Sequence, residues 1–329
     1  MDIVLTGDVM LGRLVDQYVI QDNRLPPTSL WGDVLPLLHA ADVRLANLEC
    51  VISDRGARWR PLTKAFHFRA HPRAIDFLTV ARVDCVTLAN NHSLDYGVEA
   101  LLDCLQRLDQ AHIKHAGAGH NLHTAQAPAW LETAEGRIAV IALTDDMRLW
   151  AATADRPGLH YVAYNRQGLL EPHRSRLQQL ISAARDQSQF LIVSAHVGPN
   201  WGKPSLAMRT LARQLIDMGA DLYWGHSNHT PQGIEVYQGK PILYATGDFV
   251  DDYMIDAEER NDRSFLLVVE VQQRRVCQIR LHPVIIQDLR VRQASGEVAR
   301  FLQERMRQRS AELGSVVDIQ DSLAILCLG

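Results

Sequence analysis

The sequence predicts an α/β protein built on two mixed β-sheets flanked by helices. Three observations predict it. The first half of the chain alternates apolar strand patterns with helix patterns, separated by glycine-containing or polar turns. From Gly233 to Val284 strands follow one another through short turns such as Gln238-Gly239. Several strands of the alternating part end in polar residues able to do chemistry. Alternation favours a parallel or mixed sheet, and a run of strands favours an antiparallel one.

The elements read in order as follows. Residues 2–8 (DIVLTGD) form the first strand, 31–42 a helix and 43–49 (VRLANLE) the second strand. A helix over 72–82 leads to the third strand, DCVTLANN at 84–91, and a helix over 97–111 to a short strand at 113–117. Strands at 137–145, 189–196, 220–226, 233–238, 241–248, 264–272 and 276–284 follow, with long helices over 168–186 and 205–219. Alternation in Lys64-Ala65-Phe66-His67-Phe68-Arg69 reads as a strand edge. A final helix over 296–313 makes the part after about 286 a helical extension of one domain spanning 1–329. Residues 145–165 and 250–263 are polar stretches long enough to serve as lids or binding loops. No repeat, low-complexity segment or linker interrupts the chain.

Composition narrows the function. With 329 residues, 47% of them hydrophobic, the chain can bury a large core. A net charge of -4 with mixed signs gives no basic stripe for nucleic acid. The start, MDIVLTGDVMLGR, has neither the basic region nor the apolar length of a signal peptide. No apolar run approaches the roughly 20 residues that span a bilayer. Cys50, Cys85, Cys104, Cys277 and Cys327 are odd in number and lack C-x-x-C spacing, which points to reduced thiols in a cytoplasmic setting and away from a thiolate zinc site. Cys85 and Cys104 fall in apolar patterns as small core residues.

The chemistry lies at the strand ends. They carry Asp8, then Asn47 and Glu49, then Asn90-Asn91-His92, then His196, then His226-Ser227-Asn228-His229. In open α/β sheets ligands bind outside the carboxyl ends of the strands. One such residue means little, since a strand-end Asp commonly caps a helix and Asn-Asn commonly makes a turn. Asp8, Glu49, Asn91, His196, His226 and His229 together offer carboxylate, amide and imidazole donors suited to manganese, iron or zinc.

The motifs GDVMLGR, ANLECVIS, LANNHSLDYG, HVGPNW and GHSNHTPQGIEVYQGKPILYATGDF resemble the CapA family, described as capsule or poly-γ-glutamate synthesis proteins. The resemblance covers most of residues 1–285. It implies a metallophosphoesterase-like four-layer sandwich, helices outside two mixed sheets, with two divalent ions. By that pattern Asp8 is the first aspartate ligand and Met10 stands where a histidine is expected, leaving one ion short of a ligand. Glu49 is the bridging carboxylate, with Asn47 an alternative ligand or a substrate contact. Asn91 and His92 match an Asn-His pair, His196 a lone histidine, and His226 and His229 a final pair spaced one residue wider than the pattern.

Roles follow. His92 donates a proton to a leaving oxygen or hydrogen-bonds a phosphoryl oxygen, or else is an orienting residue acting through Asp95. Arg13 holds an anion or is a solvated helix residue, and Lys64 and Arg69 line the substrate's entry or lie on a plain surface strand. Trp201 is a pocket wall or core, and Asp248 supports His226 or His229. The leading expectation is a metal-dependent hydrolase, a phosphatase or phosphodiesterase, acting on a small anionic phosphate ester. The alternatives are a CapA-type enzyme of poly-γ-glutamate synthesis or amide hydrolysis, and a non-catalytic metal-binding scaffold.

Overall fold

The computed structural model describes residues 1–61, 63–320 and 322–328. Its first sheet runs, in spatial order, Asp318–Gln320, Leu323–Cys327, Arg275–Gln287, Arg263–Gln272, Asp2–Val9, Val43–Leu48, Cys85–Thr87 and Lys114–Ala116. The last four of these are mutually parallel, and Arg263–Gln272 joins Asp2–Val9 antiparallel. The second sheet runs Ile234–Tyr237, Lys240–Leu243, Leu222–His226, Phe190–His196, Gly136–Thr144 and Ala129–Thr133. Its middle four strands are parallel and its two outer ones antiparallel. Both sheets are therefore mixed, as expected.

Strand alternation assigns each side chain to a layer. Ile3 and Leu5 point between the sheets, where they meet Val140, Ile192 and Trp224, while Val4 faces the opposite side. Leu191 and Val193 likewise face outward, against Leu177 and Ile181 of the His173–Gln187 helix and Leu211 and Leu215 of the Leu206–Met218 helix. Phe77 and Leu78 of Ala74–Val80, with Leu101 and Leu105 of Gly97–Gln110, cover the first sheet. The result is helix, sheet, sheet, helix, with three apolar layers between. Each fully buried Leu or Ile contributes about 1.5–3 kcal/mol.

Several elements depart from expectation. The helix expected over 31–42 is α-helical only at Leu35–Ala40, preceded by single turns at Pro27–Leu30 and Gly32–Val34. Pro36 suits only a first turn, and Gly32 takes φ +47. The third strand is short, Cys85–Thr87, and residues 91–96 form turns. The Lys64–Arg69 stretch is strand only from Arg69, which pairs Arg69–Ala70 with Val51–Ile52. The segment expected as one strand at 241–248 ends in the second sheet at Leu243, and Asp248–Val250 then pairs with Asp2–Val9 in the first. That crossing brings the two sheets together. Asp8 N–H donates to Gly247 O at 2.8 Å, and a Cβ on Gly7 would lie 2.0 Å from the same oxygen. After residue 286 the chain is not purely helical. Arg290–Gln293 is a strand, Gly296–Ala311 a helix, and Asp318–Gln320 and Leu323–Cys327 return as strands of the first sheet. Leu302 and Met306 of that helix enter the core between the sheets. No helix among the described residues is long and apolar enough to cross a membrane.

Candidate metal centre

The parallel strands of both sheets deliver their carboxyl ends to one place. Asp8, Glu49 and His196 are each buried, and one ligating atom of each lies within 4.8 Å of the others. Asn47 Nδ2 donates to Asp8 Oδ1 at 2.8 Å and lies 3.5 Å from His196 Nδ1. His226 Nδ1 lies 2.7 Å from the same Asp8 oxygen. Glu49 Oε1 is 3.9 Å from His196 Nε2, and Glu49 Oε2 accepts the Tyr253 hydroxyl at 3.1 Å.

The electrostatics are those of a site short of positive charge. Burial, reinforced by the Asp8 charge, holds Glu49 well above the usual carboxylate range. Burial would raise Asp8 too, but His226 beside it pulls it below its ordinary value. Burial pushes His196 down to about 3. Asp8 Oδ2, Asn91 Oδ1 and His226 Nε2 are buried with no hydrogen-bond partner among the described residues. Unpartnered buried polar atoms are costly and call for an explanation. The carboxylate oxygens and imidazole nitrogen that Asp8, Glu49 and His196 bring within 4.8 Å of one another fit a divalent ion, whose charge would offset the buried carboxylates.

A second group stands beside the first. His92 Nδ1 lies 2.6 Å from Asp95 Oδ2, and its ring stacks on Phe68 at 3.8 Å between centroids. Lys64 Nζ reaches Asp95 Oδ1, the Asn91 carbonyl at 2.6 Å and His92 Nδ1 at 3.0 Å. Burial, then Lys64, holds His92 well below its ordinary value, and burial pushes Asp95 up to about 6 against the pull of Lys64. Asn90, fully buried, ties this group to the strand ends. Its Oδ1 accepts His92 N–H at 3.0 Å, and its Nδ2 donates to Leu48 O at 2.9 Å.

The His226–His229 loop closes the far side. Ser227 takes φ +80, a conformation unusual for a non-glycine residue, and its hydroxyl donates to Gly198 O at 2.8 Å. His229 Nδ1 lies 2.8 Å from Asp248 Oδ1, so of the two histidines Asp248 supports His229. Trp201, 42% exposed, meets the His229 ring edge-on at 5.5 Å and so stands at the mouth rather than in the core.

The other expected residues fall in different places. Met10 is fully buried in the apolar layer under the helices, its sulfur accepting Gly12 N–H at 3.0 Å. Asn47 has no exposure, and its carboxamide donates to Asp8 Oδ1 at 2.8 Å and accepts from Thr87 Oγ1 at 3.0 Å, so that it orients Asp8. Lys64 is tied to Asp95 rather than free to receive an anion. Arg13 is exposed, paired with Asp252 at 3.3 Å and lying over Phe66 and Phe68. Arg69 lies over the Tyr96 ring at 4.2 Å, with no contact to the buried cluster. Tyr253 was not singled out by the sequence, although a lone aromatic in the polar 250–263 stretch was available as a signal.

Comparison with known proteins places this geometry. The model of the bacterial capsule synthesis protein family PGA_cap matches residues 2–253. A protein of Mycobacterium tuberculosis, named a probable polyglutamine synthesis accessory protein, is 32% identical over 98% of this chain and 94% of its own length. The PGA biosynthesis protein CapA of Bacillus subtilis is 28% identical over 75% of this chain and 62% of its own. The capsule biosynthesis protein CapA of Bacillus anthracis is 29% identical over 75% and 59%. A Vps29 mutant structure from Entamoeba histolytica overlaps 74% of this chain at a TM-score of 0.27 and 10% identity, too slight a likeness to bear on the site. The match over 2–253 contains every member of the buried cluster, and this chain belongs to the bacterial capsule synthesis protein family PGA_cap, with a buried Asp8, Glu49 and His196 group able to bind a metal ion.

Proposed function

We propose that this chain serves capsule or poly-γ-glutamate synthesis as a metal-dependent hydrolase acting on an amide-linked, anionic substrate. The single observation that carries the reading is the buried group of Asp8, Glu49 and His196, with Asp8 Oδ2 and His226 Nε2 lacking a hydrogen-bond partner among the described residues. Its place in capsule synthesis rests on the family match.

Asp8, Glu49, His196 and His226 would hold the ion, with Asn91 and His229 completing the donor set. A divalent ion there supplies Lewis acidity, polarising the scissile group and acidifying a water. Asn47 fixes Asp8 through its 2.8 Å hydrogen bond, and Asp248 fixes His229. His92 gives its Nδ1–H to Asp95, so Nε2 is the ring nitrogen free to take a proton and pass it to the leaving nitrogen. Lys64 keeps Asp95 anionic for that task, and Phe68 holds the imidazole plane. Arg13 at the exposed rim offers a guanidinium to an acidic substrate.

Phosphate-ester hydrolysis is the second reading. What favours it is the donor set itself, since mixed oxygen and nitrogen ligands beside a proton-carrying histidine serve phosphoryl transfer equally well. The test is to load the protein with manganese, zinc or iron and offer γ-linked glutamyl oligomers alongside phosphate monoesters and diesters. Release of free amine ends, lost in His92→Ala, supports the main reading. Release of phosphate supports the second, and turnover of neither by metal-loaded protein rules out hydrolysis.

A further inference from the structure

We propose that the cleft at the opposite end of the strands from the metal centre binds a polycarboxylate chain, an acidic polypeptide held by its side-chain carboxylates. The inference deepens the proposed function by giving its anionic substrate a second point of hold, and it rests on that reading only for the identity of the chain. The metal centre lies where parallel strands end, at Asp8, His196 and His226. The cleft lies where they begin, beside Phe190, the first residue of its strand, and Asp221, which directly precedes another. The strand from Phe190 to His196, at about 3.3 Å per residue, sets the two sites roughly 20 Å apart.

Two hairpin turns, one from each sheet, wall the cleft, a cavity of about 1100 Å³. Arg185, Lys240, Arg274 and Arg275 line it against the single carboxylate of Asp221, a local excess of three positive charges in a chain whose net charge is -4. Asp221 Oδ2 accepts from Arg185 Nη1 and from Leu191 N–H, and its Oδ1 lies 3.3 Å from Lys240 Nζ. Arg274 has no carboxylate partner among the described residues. Its Nε and Nη2 donate to the backbone carbonyls of Gln189 and Ser188 at 3.2 and 2.9 Å.

The turns supply an independent observation. Each has two central residues in the left-handed region, Gln238 and Gly239 at φ +51 and +73, Gln273 and Arg274 at φ +48 and +68. Such turns favour glycine. The first has glycine at its second position, whereas the second keeps arginine there against the preference of the backbone, and that arginine bridges to the other sheet. Guanidinium groups pair with carboxylates through parallel N–H donors. Phe190, the one aromatic residue of the lining, is buried, so no ring is offered for a base to stack on, and an acidic polypeptide fits better than single-stranded nucleic acid.

The test is fluorescence anisotropy of a labelled γ-linked glutamyl oligomer titrated with the metal-loaded full chain, paired with hydrogen–deuterium exchange of wild type with and without unlabelled oligomer. Wild type should bind, more weakly as salt is raised. Exchange should slow at residues 238–240 and 272–276. Arg274→Gly suits the turn and removes the guanidinium. Combined with Arg275→Gln it should weaken binding about tenfold or more, the scale of a lost charge-assisted hydrogen bond. His196→Ala, which disables the metal centre, should keep the protection at the cleft. No binding by wild type, protection confined to the metal centre, or a double variant that binds as wild type does would overturn the inference and leave hydrolysis at the metal centre untouched. Citrate that binds as tightly as the oligomer, or an oligothymidylate of equal charge that does so, would overturn the assignment to an acidic polypeptide. Binding and protection at the cleft without release of amine ends would uphold the inference and remove the proposed amide hydrolysis.

Discussion

Asn47 and Asp8 lie side by side on neighbouring parallel strands, and the Asn47 carboxamide donates to Asp8 Oδ1 at 2.8 Å. That bond leaves the other Asp8 oxygen, Oδ2, which is buried with no hydrogen-bond partner among the described residues. Asn47 is itself held by Thr87 and Asn90, at 3.0 and 3.3 Å, so three strand ends act as one unit.

Asn47→Ala should therefore act twice. It strands buried partners on Asp8, Thr87 and Asn90, costing about 1–3 kcal/mol for a buried group left unsatisfied. It also loosens Asp8 and should weaken metal binding by about 10–100-fold. Chemical denaturation measures the first effect and calorimetric titration with manganese the second.

His226 and His92 should separate cleanly. His226→Ala removes a nitrogen 2.7 Å from Asp8 Oδ1 and should lose ion and turnover together. His92→Ala should keep the ion and lose about 10²–10⁴-fold in turnover, the range for a removed proton carrier. Elemental analysis beside rate measurements decides; an empty site in His92→Ala would reassign His92 as a ligand.

Met10 should behave as core. Its sulfur accepts Gly12 N–H and its side chain has no exposure. Met10→Ala should cost about 2–5 kcal/mol, as for other buried large-to-small changes. Its manganese affinity, measured by the same titration, should stay at the wild-type value.

Acid should destabilise the fold partly through His160, away from the cluster. Its Nδ1 lies 2.9 Å from the Ala142 carbonyl, and burial pushes it down to about 4 from an ordinary 6.5. A histidine with a depressed folded pKa stays neutral in the fold while the unfolded chain takes up a proton. The stability it supports is present above about pH 6.5 and falls as pH drops towards 4, by up to about 3 kcal/mol. Denaturation curves at pH 7 and pH 4.5 on wild type and His160→Gln should show a smaller acid loss in the variant.

Much of the centre was legible because it lies at the ends of strands whose apolar patterns are plain. Asp8, Glu49 and His196 each close such a run, and parallel strands put their carboxyl ends on one rim. What the sequence hid depends on contacts between distant segments. Tyr253 reaches Glu49 across 204 positions. Lys64 looks like a free cation until its ammonium is seen on Asp95 and the Asn91 carbonyl. The strand at Asp318–Gln320 escaped because an exposed edge strand carries little apolar alternation: Asp318, Ile319 and Gln320 are all exposed. The sheet change between Leu243 and Asp248 escaped because PILYATGD is apolar throughout its first part, and only the Gly7–Gly247 approach shows the strand leaving its sheet.

The most direct test of the account is the metal content of purified protein, by elemental analysis, for wild type and an Asp8→Asn, His196→Ala double variant of confirmed fold. The account predicts at least one equivalent of a divalent transition metal in wild type after growth with manganese, zinc and iron, and its loss in the variant. Wild type that stays empty, or a variant that holds metal as tightly as wild type, would contradict it.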